Sequence, residues 1–462
     1  MKTMTISAVC LLIALCAATS PAAVYNVGPG QTYTHIRDVP WETIAAGDTV
    51  NIYYQATPYN DKFDVTVAGT AGSPVLIHGV PDGSGNLPVL DGNGAIERPQ
   101  LVYTTDDRGI INIGYGQNHP TGFITTYVTI ENLEVKHARS PYHFTRYDGS
   151  TVNFGSSANG LYANLCEHIT INNCIFDDNS EGVFFSSNSL GTSKYMTMQG
   201  CYIYNNGQGG SGTHNSYCES MGITYQYNFY GPLASGAVGN NLKDRSSNMV
   251  IRYNWIDSGD RLLDLVDAED SAVIRADPNY NKAFIYGNIL LKNTYSGQTG
   301  KVVHYGYDGS RKNMRVGPVQ FYNNTVVSYL TGATYLLRGS YSTVTFDCYN
   351  NILFVTAAGS NLNISYNAGV VNLSHNFMKP GWVNGPGTVH DDGTQVLGAD
   401  PLFVNFGTQD FHLASNSPCI NQGKALPAID LPDNNVTQQY VKHRQIQARP
   451  VNGALDIGAY EY

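Results

Sequence analysis

Residues 243–270 include eleven charged side chains among 28 residues, against 13% charged residues in the chain as a whole. They are Lys243, Asp244, Arg245, Arg252, Asp257, Asp260, Arg261, Asp264, Asp267, Glu269 and Asp270. Residues two apart on a strand share a face, so an inward Leu242 turns Lys243 and Arg245 outward together. A lysine beside a like charge gives up its proton more readily, which suits Lys243 to be a base. Arg245 keeps its charge and suits binding of a carboxylate. Asp264, Asp267, Glu269 and Asp270 offer the oxygen ligands that a hard cation such as Ca²⁺ takes. Such a set fits β-elimination on a uronic-acid polymer. A base removes the proton next to the sugar carboxylate, a cation steadies the enolate-like intermediate, and Tyr217 or His214 protonates the departing sugar oxygen. The plain alternative is a solvated charged face.

These residues need a scaffold that stacks them. Short β-prone quartets such as Ile251-Arg-Tyr-Asn254 recur along the chain, ending at Leu133, Cys174, Cys201, Asn228, Asn254, Asn288, Asn324, Asn351 and Asn376. Successive spacings are 41, 27, 27, 26, 34, 36, 27 and 25 residues, which gives a unit of about 26 with three larger insertions. Such a unit closes no core alone, but stacked copies bury a continuous one. The six successive Asn-ending quartets then form an amide ladder, each rung bonding the next. Helix-forming halves and the leucine-rich consensus are absent, so the fold expected is an all-β, single-stranded, right-handed parallel β-helix over residues 23–396. A shift of 26 places Tyr217 level with Lys243 and Glu219 level with Arg245, and inward Leu263 and Leu265 turn Asp264 outward.

Two loops add positive charge. Residues 136–149 carry Arg139 and Arg146, and residues 306–316 carry Arg311, Lys312 and Arg315. Each has a local charge of +2, suited to an anionic polymer. Tyr305 is a candidate for stacking on a sugar ring. A hydrolase needs two carboxylates across a groove, for which Asp177, Asp178 and Glu181 are candidates.

The net charge of −10 disfavours a nucleic-acid partner. Residues 1–22 read as a secretory signal: Lys2, an apolar stretch too short to span a bilayer, then small residues. Export is expected, with no stable membrane insertion and a monomeric state. Six cysteines follow that segment without CxxC spacing, which argues against zinc; one or two disulfides are possible. From residue 397 the text turns aperiodic, as expected of a capping segment over 397–462.

Residues 69–77 and Leu90-Asp-Gly92 resemble the opening rungs of the pectate-lyase-like superfamily of secreted β-helix proteins, including pectate lyases and the alginate lyase/chondroitinase B group. The tail from Asp410 to Glu461 resembles the choice-of-anchor segment of bacterial β-helix proteins. The resemblance implies a lyase with a Lys or Arg base and bound calcium, and Lys243 lies at a position resembling that base. It departs in two places. Gly239-Asn240-Asn241 stand where acidic calcium ligands precede the lysine, and Asp264 stands where an arginine is expected. The alternatives are a non-catalytic surface or matrix protein that binds polysaccharide, and a glycoside hydrolase on the same fold.

Overall fold

The computed structural model describes residues 21–103, 105–114, 122–209, 212–293 and 299–462. The expected signal segment lies outside these except for its last two residues. The described chain winds through three long sheets of 13, 10 and 11 strands in which every strand pair is parallel. One coil illustrates the path. Ser216–Cys218 lies in the ten-stranded sheet, Met221–Gln226 in the thirteen-stranded sheet and Phe229–Tyr230 in the eleven-stranded sheet. Leu242–Asp244 then starts the next coil beside Ser216–Cys218. This is the right-handed parallel β-helix that the repeat predicts.

The tight turn between the thirteen- and eleven-stranded sheets explains the sequence signature. One residue there adopts a left-handed conformation, as at Tyr253 (φ 53°), Asn323 (φ 48°) and Asn350 (φ 57°). The asparagine after it points into the bore. Asn228, Asn254, Asn288, Asn324, Asn351 and Asn376 bond one another in succession at 2.9–3.1 Å. Each also satisfies turn backbone, as where Asn288 Nδ2 donates to the Ile251 carbonyl. A second amide ladder, Asn179, Asn206, Asn215 and Asn241, was not anticipated. It has no constant sequence spacing, because loops of unequal length separate its rungs. Between the ladders the bore is filled by residues such as Ile171, Met198, Ile251, Ile285 and Leu353. All six described cysteines are buried and unbridged, so the possible disulfides are not formed.

The tail, expected as a capping segment packed on the helix, makes its contacts along the side of the coil. It lies along the flank of the coil. Phe411 stacks on Trp255, and His443 lies 4.0 Å from Phe229 in a parallel stack. Tyr322 donates to the Asn434 carbonyl at 2.5 Å, and Asn350 donates to the Lys424 carbonyl at 2.9 Å. The reason is the aromatic column Tyr253, Tyr286, Tyr322 and Tyr349 on the outside of the turns, which Leu426, Val436 and Ile446 cover. Removing these rings from water stabilises the docked tail.

Candidate functional site

The strand registers place Tyr217, Lys243 and Asp264 level on consecutive rungs of the ten-stranded sheet; the 26-residue shift predicts the first pair, while Asp264 follows Lys243 by only 21 residues. The ladder extends both ways beyond the sequence reading. Phe184 precedes Tyr217, and His304 and Arg338 follow Asp264. His304 lies 40 residues after Asp264 in the chain, because the insertion carrying the helix Ala272–Arg275 lengthens that coil. A fixed period therefore missed it.

Lys243 is held between two carboxylates. Its Nζ lies 2.5 Å from Asp308 Oδ2 and 3.6 Å from Asp264 Oδ2. Only 11% of its side chain is exposed, yet that places the amine at the surface of the ladder. Asp308 belongs to the 306–316 loop predicted to be cationic. It is the loop's acid that reaches the site. Arg311 instead sits over the Tyr341 ring at 3.7 Å, and Lys312 is exposed.

Arg245 departs from its expected role. Its guanidinium contacts Asp308 at 2.8 Å, Glu269 at 3.1 Å and Asp267 at 3.5 Å, and its Nε donates to the Tyr217 hydroxyl at 2.7 Å. So encased, it organises the site and has no free edge for a substrate carboxylate. Tyr217 packs flat on Phe184 with centroids 4.4 Å apart. Burial raises its phenol above the ordinary range, with Arg245 opposing. His214 is buried, and burial, then Lys243, push its pKa down to about 3. Its Nδ1 accepts from the Asn240 amide at 3.0 Å, so the neutral ring carries its proton on Nε2.

The four expected calcium ligands do not converge. Asp264 is buried and engaged by His304 Nδ1 (2.6 Å), Asn240 Nδ2 (2.7 Å) and Arg261 (3.3 Å). Burial would raise its pKa, but His304, Lys243 and Arg261 outweigh that and hold the carboxylate ionised. Asp267 accepts from the backbone amides of Asp308, Gly309 and Ser310. Glu269 pairs with Arg245, while Asp270 is exposed. Among the described residues no group of three or more acidic, His or Cys side chains is arranged to hold a metal ion. The donor set does not fit Ca²⁺: these acids neutralise Lys243 and Arg245 and anchor the 306–316 loop.

Four other predicted contacts are corrected. Arg315 is fully buried, donating to the carbonyls of Val266 (2.6 Å), Tyr280 (2.7 Å), Arg245 (2.7 Å) and Ser246. Tyr305 is also buried, its hydroxyl donating to the Asn281 carbonyl. Arg139 pairs with Asp178 at 2.7 Å, and Arg146 pairs with Asp106. The loop charges thus answer nearby acids and carbonyls, which a count of local charge does not reveal. The pairing with Arg139 also occupies Asp178 of the hydrolase set, while Asp177 and Glu181 lie on different sheets.

Two further arginines stand beside the ladder. The Nε atoms of Arg261 and Arg338 are buried without a hydrogen-bond partner. Burial, then the neighbouring Arg261, lower the pKa of Arg338. These arginines flank Asp264 and His304 and were not singled out from sequence, although Arg261 lay within the charged stretch. Glu181, one strand before the Tyr217 strand, has an unpartnered buried Oε2. Burial pushes it from 4.5 up to about 8, with Arg108 and Lys243 opposing. A carboxyl raised on folding binds its proton more tightly in the native state, so its contribution to stability is full below about pH 4.5 and fades as pH rises to about 8. Glu181→Gln should therefore flatten that decline. Urea unfolding at pH 5 and pH 8 checks it: the variant gains on the wild type at pH 8, and an unchanged difference between the two pH values would refute the assignment.

Neither a family model nor a curated protein matches the sequence. Among solved structures, pectate lyase Pel9A is similar with a TM-score of 0.50 and 14% identity, over 96% of this chain and 97% of that one. An alginate lyase from Paenibacillus sp. str. FPU-7 gives 0.44 and 15%, over 77% and 99% of the two chains. The GH136 lacto-N-biosidase from Eubacterium ramulus gives 0.46 and 13%, over 80% and 68%. At such identities the likeness is one of fold alone, and the fold of this chain is a right-handed parallel β-helix.

Proposed function

We propose that the protein is an exported polysaccharide lyase that cleaves a uronate-containing polymer by β-elimination. The observation that supports this reading is that Lys243 and Tyr217 lie level on adjacent rungs, with Lys243 Nζ 5.7 Å from the centroid of the Tyr217 ring, and with Arg261 across Asp264 from the lysine. In this mechanism Arg261 and Arg338 take the sugar carboxylate, the role first assigned to Arg245. The Lys243 amine, once it has passed its own proton to solvent, removes the proton from the carbon bearing that carboxylate. The electron pair forms the new carbon–carbon double bond as the glycosidic C–O bond breaks, and the Tyr217 hydroxyl protonates the leaving oxygen. Its raised pKa keeps the phenol protonated for that step. Arg245, donating to the same oxygen, steadies the phenolate that forms. His214 Nε2–H is a second donor at the edge of the site. No step is routed through calcium.

A second reading has one observation in its favour. Asp264 and Asp308 both approach Lys243, and paired carboxylates also serve glycoside hydrolysis. Incubation with pectate, alginate and glycosaminoglycans separates the readings. A lyase generates ultraviolet absorbance from the unsaturated product. New reducing ends without absorbance indicate the hydrolase. Polymer binding with neither product refutes both and leaves a binding protein.

A further inference from the structure

The outer face of the thirteen-stranded sheet carries a second constellation, away from the Lys243 ladder. At one position in five consecutive strands the backbone is left-handed: Tyr127 (φ 52°), His168 (φ 56°), Tyr195 (φ 59°), Gly222 (φ 84°) and Asn248 (φ 46°). Paired residues on both sides keep these five in register. A conformation disfavoured for side-chain-bearing residues is thus repeated down the column, and it aligns the side chains. Tyr127 and His168 stack with centroids 4.2 Å apart and planes 7° apart, and His168 and Tyr195 stack at 4.7 Å and 26°. Then the stack stops. Gly222 has no ring to contribute, and the next side chain is Asn248.

The stop leaves a slot of definite size. Strands lie ~4.8 Å apart, so Tyr195 and Asn248 are separated by roughly two spacings, enough for one ring between them. Where a side chain on Gly222 would begin, the one neighbour within 4 Å is Tyr195 Cδ1 at 3.6 Å, an ordinary contact. Tyr195 is 53% exposed, so its free ring face opens into this gap. Two residues along each strand runs a row of hydroxyls, Thr129, Thr170, Thr197 and Thr224, held in register. Together these groups line a shallow cleft of about 400 Å³ that contains no Lys, Arg, Asp or Glu.

We propose that this slot binds one neutral pyranose ring of a glycan strand. The apolar face of the sugar stacks on Tyr195, filling the place that Gly222 leaves vacant. Its hydroxyls bond to Thr197, Thr224 and the Asn248 amide. The lining holds no Lys or Arg, so the carboxylate of an acidic sugar would find no permanently charged partner here. The site is thus distinct in chemistry from the charged Lys243 ladder and would hold a neutral polymer while that ladder works on an acidic one.

The test uses the full chain and hexasaccharides of β-1,4-linked glucose, xylose and mannose as probes, with titration calorimetry as readout. At least one should bind. Tyr195→Ala should weaken it about tenfold, the scale of one lost ring stack. Gly222→Tyr should do the same by filling the slot, and the left-handed backbone already accepts tyrosine at 127 and 195. Lys243→Ala should leave this binding unchanged, which separates failure here from failure of the lyase reading. Tyr195 is exposed, so its replacement keeps the test open should the Gly222 variant fold poorly. Binding of none of the three sugars, or binding that survives Tyr195→Ala intact, overturns the proposal.

Discussion

Lys243→Ala is expected to lower turnover of a uronate polymer by about 10²–10⁴-fold, the usual contribution of a positioned general base. The fold should survive. The lysine side chain lies at the ladder surface, and Asp264 keeps His304, Asn240 and Arg261 as partners when the amine is gone. Asp308 retains Arg245. Initial rates of absorbance gain on the substrate that wild type cleaves, with circular dichroism as the control for folding, give the result. A rate within tenfold of wild type, on a folded variant, would mean that the proton goes to another group. Substrate affinity should change little, because the carboxylate is assigned to Arg261 and Arg338.

Arg315→Met should cost about 3–5 kcal/mol of stability, the range for removing one partner from a buried charged network. Methionine fills much of the volume but donates no hydrogen bond. Four carbonyls, those of Val266, Tyr280, Arg245 and Ser246, then remain buried and unmet. A fifth effect falls on Asp244 inside the coil. Burial raises it to about 6, and Arg315 is the largest influence opposing that rise. The arginine also ties the 306–316 loop to the rung that carries Arg245, so its loss should free Asp308 and lower activity as well. Urea unfolding measures the first effect, and the product assay measures the second. A loss below about 1 kcal/mol would show that water replaces the guanidinium at those carbonyls.

The contrast between these two residues shows how far sequence reading reaches. Lys243 was legible because it sits on a strand in a repeat of constant length, where alternation and a shift of 26 decide its face and its neighbour. Arg315 sits in an inserted loop. Its charge suggested a surface role, but it is drawn inward by carbonyls contributed from residues 245 to 280, which no local pattern identifies. Arg245 shares both kinds of environment. Its outward strand position was readable, whereas the three carboxylates that enclose it come from other segments. His304 was missed although it occupies the same ladder, because the insertion before it broke the count.

The sequence alone determined the coil, the asparagine ladder and the level placement of Tyr217 and Lys243. Parallel pairing at a fixed spacing converts a linear period directly into stacked side chains, so nothing beyond the repeat is needed to read them. Only the tertiary structure decided which charges remain open, how Asp308 reaches Lys243, that the acids answer arginines in place of a metal, and that the tail lies on the flank. Those outcomes depend on where buried carbonyls, charges and aromatic rings from distant segments meet and satisfy one another, a balance of desolvation and pairing that has no period along the chain.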